Sequence, residues 1–289
     1  MSMTSEAWLI IATAALVATS TALLGSFLVL RKMAMLGDAI SHAVLPGIVI
    51  AFMLSGERQN MLLLLGAALS GLLASFLIEL LHRKARLQED ASIGVSFTWL
   101  FAIGVLLISA YTGQVDLDQE CVLYGEIAYV PLDLVYFGTN TGVPRPLIIA
   151  GGLLLAVILY LLISFKALKL VSFNPDYANA IGIKTQLWHF SFMAMVSLTT
   201  VLAFEIVGAI LIVALLVVPA ATAFLWSRAL IPMLLLAVIF GLVASFGGYG
   251  LATTIDGSIA GAMVSVAGLL FFVSLAIRLL APSRGEKVF

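Results

Sequence analysis

The chain has 289 residues, of which 63% are hydrophobic and 10% are charged, and its mean hydropathy is +1.19. A soluble core of this size cannot hide so much apolar surface, so the composition excludes a soluble globular fold and predicts a polytopic membrane protein. The net charge of -1 says little by itself. We expect no nucleic-acid partner. A single cysteine, Cys121, excludes an internal disulfide and a cysteine-based metal site.

Apolar runs long enough to cross a membrane recur along the whole chain. They predict an all-α bundle of about nine transmembrane helices in a single domain, 1–289, with spans near residues 7–30, 33–54, 61–81, 91–111, 147–165, 185–204, 206–226, 231–251 and 258–280. Most lysines and arginines fall on the side of the Arg31–Lys32 turn, and only Arg58 and Arg145 fall on the other. The positive-inside rule then predicts an outside N-terminus and a cytoplasmic C-terminus.

The second predicted span contains polar residues at helical spacing. Asp38 and His42 are four residues apart, so they share one helix face and lie close enough to bind one cation together. Pro46 lacks an amide proton and should free the carbonyl of His42, which adds an oxygen to that face. Because a carboxylate at bilayer depth is costly, such a residue indicates a polar pathway. The alternative is a first-turn carboxylate near the cytoplasmic interface, with no role in transport.

The segment 112–146 faces outward in this topology and is rich in acidic residues. It would attract cations or a delivery protein with a basic rim, although an ordinary solvated loop fits the pattern equally well. Residues 122–130 are apolar enough for a short interfacial helix.

A second connecting segment, 169–183, faces inward and predicts a short helix at about 173–183 that lies parallel to the membrane. Asn174 is a good N-cap, Pro175 suits the first helical position, Asp176 falls in the first turn and Gly182 can end the helix. Its apolar and small residues would dock in a groove of a cytoplasmic partner. These residues are Phe173, Tyr177, Ala178, Ala180 and Ile181. The alternative is a plain interhelical loop.

Three later features complete the pattern. Glu205 lies at the outer end of the sixth span or the start of the seventh, where a lone glutamate is more often interfacial than a ligand. Pro219 should bend the seventh span and free a backbone carbonyl. His189 follows Trp188 and fits an interfacial aromatic belt. No Gly-x-x-x-x-Gly-Lys-Ser/Thr motif is present, so the chain does not bind ATP in the P-loop manner.

Four runs of the sequence resemble one family, the membrane permeases of ATP-driven manganese, zinc and iron importers. Residues 30–47 read LRKMAMLGDAISHAVLPG, residues 173–182 read FNPDYANAIG and residues 207–222 read VGAILIVALLVVPAAT. The likeness extends over nearly the whole chain. Residues 114–126, QVDLDQECVLYGE, are more similar to the manganese branch than to the zinc branch.

The resemblance implies a type II ABC importer-like fold and a multi-pass permease subunit in a bacterial cell (inner) membrane. It implies a homodimer that pairs with two cytoplasmic ATP-binding-cassette ATPase subunits and receives metal from an extracytoplasmic binding protein. The chain itself would then be a transport subunit with no cofactor and no enzymatic activity. Its cargo would be a divalent metal, with Mn²⁺ favoured and Zn²⁺ or Fe²⁺ as alternatives. Residue by residue, the resemblance makes Asp38 and His42 the metal ligands, Glu205 a weaker third, and 174–182 the coupling helix that meets the ATPase.

Two other functions fit the residues. An ion-coupled secondary carrier could use Asp38 and His42 to relay protons, and a membrane enzyme could use them as acid and base. No second buried nucleophile or base is evident on an adjacent span, which disfavours the enzyme.

Overall fold

The computed structural model describes residues 5–55, 61–111, 127–136 and 142–280. The described residues are mostly helical. In chain order the helices are α1 (Ser5–Leu30), α2 (Leu36–Ala43), α3 (Leu45–Ser55), α4 (Met61–Lys84), α5 (Glu89–Tyr111), α6 (Arg145–Phe173), α7 (Pro175–Ala180), α8 (Thr185–Val207), α9 (Ala209–Trp226), α10 (Leu230–Ile255) and α11 (Ile259–Leu280).

Within these ranges, nine helical segments are long and apolar enough to cross a membrane. Helices satisfy every backbone amide and carbonyl internally, which is why an apolar chain takes this form in lipid. The predicted all-α membrane bundle with about nine spans is confirmed. The second of these segments, Leu36–Ser55, consists of the two short helices α2 and α3.

The sixth and seventh spans meet at a sharp turn. Gly208 has a φ of 81°, a conformation that side chains with a Cβ rarely adopt, and it separates α8 from α9. Glu205 therefore lies near the end of α8, as predicted for the outer end of the sixth span. Pro219 lies within the uninterrupted helix α9.

Helix α6 is longer than the predicted fifth span. It continues from Arg145 through Lys166 and Lys169 to Phe173, because no helix-breaking residue occurs before Asn174 and Pro175. The inner part of the helix also has packing contacts, since Leu168 is completely buried. The apolar run therefore ends before the helix does.

On the side predicted to face outward, a 3₁₀ helix (Ile127–Leu132) precedes a two-stranded antiparallel hairpin, β1 (Leu134–Tyr136) with β2 (Gly142–Pro144). The interfacial helix predicted at 122–130 is thus a 3₁₀ helix in its described part. Four acidic residues of the outward segment lie outside the described residues: Asp116, Asp118, Glu120 and Glu126.

Helix α1 packs against α6, α9 and α10 at the centre of the bundle. The closest approach is at Gly25, where a Cβ would lie 1.7 Å from the backbone oxygen of Leu216 on α9. Only glycine allows the two helices to come this near. Helix α2 packs in turn on α4, α5, α8 and α9. Its buried side contains Leu36, Ala39 and Ile40, whereas Asp38 and His42 lie on its less buried side.

Candidate functional site

Asp38 and His42 face the same side of α2. The Nε2 atom of His42 lies 3.6 Å from Oδ1 of Asp38, and in the isolated chain the two side chains are 33% and 38% exposed. The imidazole ring also packs against two aromatic rings of α5, with centroid distances of 6.3 Å to Phe97 and 5.7 Å to Phe101. The pair is therefore accessible on one side and fixed by aromatic contacts on the other.

The depth of this pair follows from contacts of its neighbours. Asp38 is in the first turn of α2, which is also where the alternative interpretation, a first-turn carboxylate near the cytoplasmic interface, places it. However, a Cβ on Gly37 would lie 2.3 Å from a side-chain carbon of Leu216, near the middle of α9. A Cβ on Gly71 would lie beside both Ile40 of α2 and Ser197, at the centre of α8. The start of α2 is thus inside the bundle, level with the middle of its neighbours.

The helix break next to the pair has two causes. Pro46 cannot donate a hydrogen bond to the His42 carbonyl, which instead accepts the amide of Val44. The carbonyl of Ala43 accepts a bond of 2.7 Å from the Ser70 hydroxyl of α4, which satisfies a backbone oxygen outside its own helix. The break consequently falls at Val44, and Pro46 occupies the second position of α3, where a proline is tolerated.

A carboxylate and an imidazole at this separation fit one divalent cation. Two ligands about 2.1 Å from a tetrahedral ion lie roughly 3.4 Å apart, close to the observed 3.6 Å. The two side chains leave other coordination positions open to water or further ligands. An open site of this kind binds an ion without retaining it, which a transport path requires.

Glu205 is not part of this pair. It is exposed near the end of α8 and lies within electrostatic range of Arg145 and Asp133. In the part of the chain that the structure describes, no three His, Cys, Asp or Glu side chains gather where they could hold one metal ion. Asp38 and His42 could therefore supply at most two such side chains to one ion in a single copy of the chain.

A second carboxylate–imidazole cluster was missed in the sequence. Glu79 of α4 is 3% exposed, and its Oε2 lies 2.7 Å from Nε2 of His189 on α8, while Nε of Arg83 contacts its other carboxylate oxygen. His189 is thus a partly exposed partner of Glu79, a contact that the sequence pattern did not indicate. The only sequence signal was a glutamate within an otherwise apolar span, since its partner is more than a hundred residues away.

The short helix after α6 is Pro175–Ala180, within the predicted range of about 173–183. The Asn174 side chain accepts the Tyr177 amide at 3.0 Å, and Gly182 ends the segment with a φ of 86°. The predicted N-cap at Asn174 and the predicted end of the helix at Gly182 are confirmed. Phe173, Tyr177 and Ile181 are more than half exposed. Ala178 is completely buried, so its side chain packs on the bundle and is not available to a partner.

Arg31 connects the start of the second span to this region. Its Nε donates to the Ser172 hydroxyl at 2.8 Å, and its guanidinium carbon lies 4.4 Å from the centroid of the Phe192 ring. Burial lowers the pKa of the guanidinium to about 10, so it remains protonated at neutral pH. The turn before α2 is thereby attached to the end of α6, two residues before the cap of α7.

Comparisons with known proteins agree with this architecture. The chain is 48% identical to the manganese transport system membrane protein MntD of Bacillus subtilis, over 93% of this chain and 90% of the relative. It is 41% identical to the zinc transport system membrane protein TroD of Treponema pallidum, over 98% of this chain and 75% of the relative. The solved structure of PsaBC from Streptococcus pneumoniae, in complex with Fab, is similar with a TM-score of 0.75 and 31% identity, and covers 94% of this chain and 92% of that chain. The model of the ABC 3 transport family matches residues 4–278, and the chain therefore belongs to that family.

Proposed function

We propose that this chain is the membrane permease subunit of an ATP-driven importer of divalent transition metals, with Mn²⁺ as the favoured cargo. The observation that carries the proposal is the Asp38–His42 pair, which is about one-third exposed, spaced for one cation and carried by a short helix that packs on four others within the bundle. A polar pair at this depth is expensive unless it serves a pathway.

The choice of metal rests on the relatives more than on the ligands. MntD is named for manganese and TroD for zinc, and the more similar of the two is MntD. One carboxylate and one imidazole accommodate both metals, and intrinsic affinity favours Zn²⁺. We infer that selection takes place largely before the metal reaches this pair, at a separate binding protein on the outer side.

A second copy of the chain and separate ATPase subunits would supply the further ligands and the energy source that a single copy lacks. Two ligands leave the coordination of the ion incomplete, and a second copy of the chain would add a second pair, which favours a homodimer. ATP hydrolysis belongs to two partner ATPase subunits on the cytoplasmic side. The exposed residues Phe173, Tyr177 and Ile181 around α7 form a surface suited to a groove on such a subunit. In this arrangement the N-terminus is outside and the C-terminus cytoplasmic.

The test is metal uptake into liposomes that contain the chain, its ATPase and its metal-loaded binding protein. We expect ATP-dependent Mn²⁺ uptake that Asp38→Ala or His42→Ala reduces at least about tenfold, because each removes half of the site. Zn²⁺ measured in parallel identifies the preferred cargo.

Matched controls are Asp90→Ala and His82→Ala, which change the same residue types at exposed positions. They should leave uptake intact. Uptake that persists without the ATPase would favour the secondary carrier, and uptake that survives both Asp38→Ala and His42→Ala would place the path elsewhere.

A further inference from the structure

The turn between α1 and α2 is closed by backbone hydrogen bonds. The Met33 amide donates to the Leu28 carbonyl at 2.9 Å. The Lys32 amide donates to the Val29 carbonyl at 3.1 Å, and Lys32 has a φ of 63°, so the two bonds form the Schellman ending of a helix. The Met33 carbonyl then accepts the amide of Leu36, the first residue of α2. The turn is therefore a fixed piece of backbone, and a displacement of it moves the start of α2.

Helix α7 is attached by hydrogen bonds to the helices on both sides of it. The Asn174 amide donates to the Leu170 carbonyl at 2.9 Å, so the end of α6 leads directly into the cap of α7. On the other side, the hydroxyl of Thr185, the first residue of α8, donates to Oδ1 of Asn179 at 2.8 Å. A displacement of α7 is thus carried to the end of α6 and to the start of α8.

Arg31 belongs to the turn and contacts both helices that flank α7. Its Nε donates to the Ser172 hydroxyl near the end of α6 at 2.8 Å. Its guanidinium carbon lies 4.4 Å from the ring centroid of Phe192, two turns into α8. The two terminal nitrogens of Arg31 are buried and have no hydrogen-bond partner among the described residues, so the contacts with Ser172 and Phe192 hold the guanidinium in place.

We propose that Arg31 is a positioning residue for transport, which couples displacement of α7 by the ATPase subunits to the start of α2, and so to Asp38 and His42. This inference rests on the proposed transport function. The planar guanidinium donates from Nε while its face stacks on an aromatic ring, and the point charge of a lysine cannot do both. Because packing alone also attaches a turn to its neighbours, the coupling has to be measured separately from stability and assembly.

The test measures Mn²⁺ uptake and ATP hydrolysis together, in liposomes that contain the chain, its ATPase and its Mn²⁺-loaded binding protein. Arg31→Lys and Ser172→Ala should leave basal ATP hydrolysis, measured without the binding protein, close to that of the wild type. The number of Mn²⁺ ions imported per ATP hydrolysed should fall about fivefold to tenfold for Arg31→Lys, at the low end of typical coupling between two sites. It should fall about threefold for Ser172→Ala, which removes one hydrogen bond.

Two controls change the same residue types away from α7. Arg278→Lys affects an arginine of α11 whose Nη1 donates to the Leu225 carbonyl of α9, and Ser245→Ala affects a buried hydroxyl that bonds within α10. Both should keep the wild-type number of ions per ATP. The inference is overturned if Arg31→Lys keeps that number, if its uptake and hydrolysis fall in the same proportion, or if Arg278→Lys loses as much.

The thermal midpoint of each purified variant, and the amount of ATPase that copurifies with it, show whether Arg31→Lys folds and assembles. Ser172→Ala retains the cation and its contact with Phe192, so it decides the question if Arg31→Lys does not fold. Wild-type uptake that is independent of ATP would overturn the proposed function. Wild-type uptake that depends on ATP, with an unchanged number of ions per ATP in both variants, would overturn this inference alone.

Discussion

Two carboxylate–imidazole pairs occur among the described residues of this bundle, and they are built in opposite ways. Asp38 and His42 lie on one short helix, 3.6 Å apart and each about one-third exposed. Glu79 and His189 lie on different helices, 2.7 Å apart, with the carboxylate 4% exposed and its second oxygen in contact with Arg83. Among the described residues, no lysine or arginine pairs with Asp38.

The difference shows that residue type alone does not identify a metal path in a membrane protein. Both oxygens of Glu79 are occupied by cationic or hydrogen-bonding groups, so a metal ion there would have to displace Arg83. The Glu79 cluster connects α4 to the first turns of α8, the helix that follows α7, and its contacts are those of a structural link. Asp38 and His42 retain unoccupied ligand positions, which a site for a moving ion needs.

The largest expected effect contrasts the two carboxylates directly. Glu79→Gln removes a buried carboxylate charge that pairs with the more exposed Arg83 and His189, and should lower the free energy of unfolding by about 3 kcal/mol. Asp38→Asn removes a charge from a partly exposed pair and should change it by less than about 1 kcal/mol. Chemical denaturation of the purified variants in detergent measures both.

A surface carboxylate provides the control for this comparison. Glu6→Gln changes an exposed residue of α1 and should be neutral. If Asp38→Asn proved as destabilising as Glu79→Gln, the metal pair would be a structural ion pair, and the contrast between the two clusters would fail.

A smaller effect tests how the helix break at Val44 is held beside Asp38 and His42. Gly47 of α3 and Gly66 of α4 pack backbone to backbone, and a Cβ on Gly47 would lie 2.1 Å from the Gly66 oxygen. Gly47→Ala should cost about 1–3 kcal/mol through overpacking, and should also reduce uptake because α3 moves away from α4.

The matched change is Gly94→Ala on α5, where a Cβ would meet nothing within 4 Å. Alanine is the better helix former, so this variant should be stabilised by up to about 1 kcal/mol. Equal behaviour of the two variants in the unfolding assay would show that the close contact between α3 and α4 is not required.

The spans and the local caps were predictable because their signals are local. Hydropathy located nine spans, and Asn174, Pro175 and Gly182 indicated a short helix that the structure contains. The prolines were predictable only in part. The break falls at Val44, just before Pro46, and Ser70 satisfies the carbonyl of Ala43 there, whereas Pro219 lies within one uninterrupted helix.

The Glu79–His189 contact and the depth of Asp38 could not be predicted, because each depends on residues distant in the sequence. His189 beside Trp188 has the local pattern of an interfacial residue, and only the packing of α8 on α4 brings it to Glu79. Likewise, Asp38 is only six positions past Lys32 in the sequence, which suggests a shallow position. The contact of Gly37 with Leu216 shows instead that the chain enters the bundle at this point.

The smallest expected effect concerns the hydroxyl that stabilises the break in the second span. Ser70 donates to the Ala43 carbonyl of another helix, whereas Ser75 donates to Gly71 within its own helix. Ser70→Ala should cost about 1 kcal/mol, since it leaves a buried carbonyl without a partner, and Ser75→Ala should cost less because the Gly71 carbonyl keeps its place in the helix. If the break also sets the position of His42, then Ser70→Ala should alter Mn²⁺ uptake while Ser75→Ala does not. An equal and negligible effect of both changes on unfolding and uptake would mean that Pro46 alone maintains the break, and that the open geometry of the metal pair needs no support from α4.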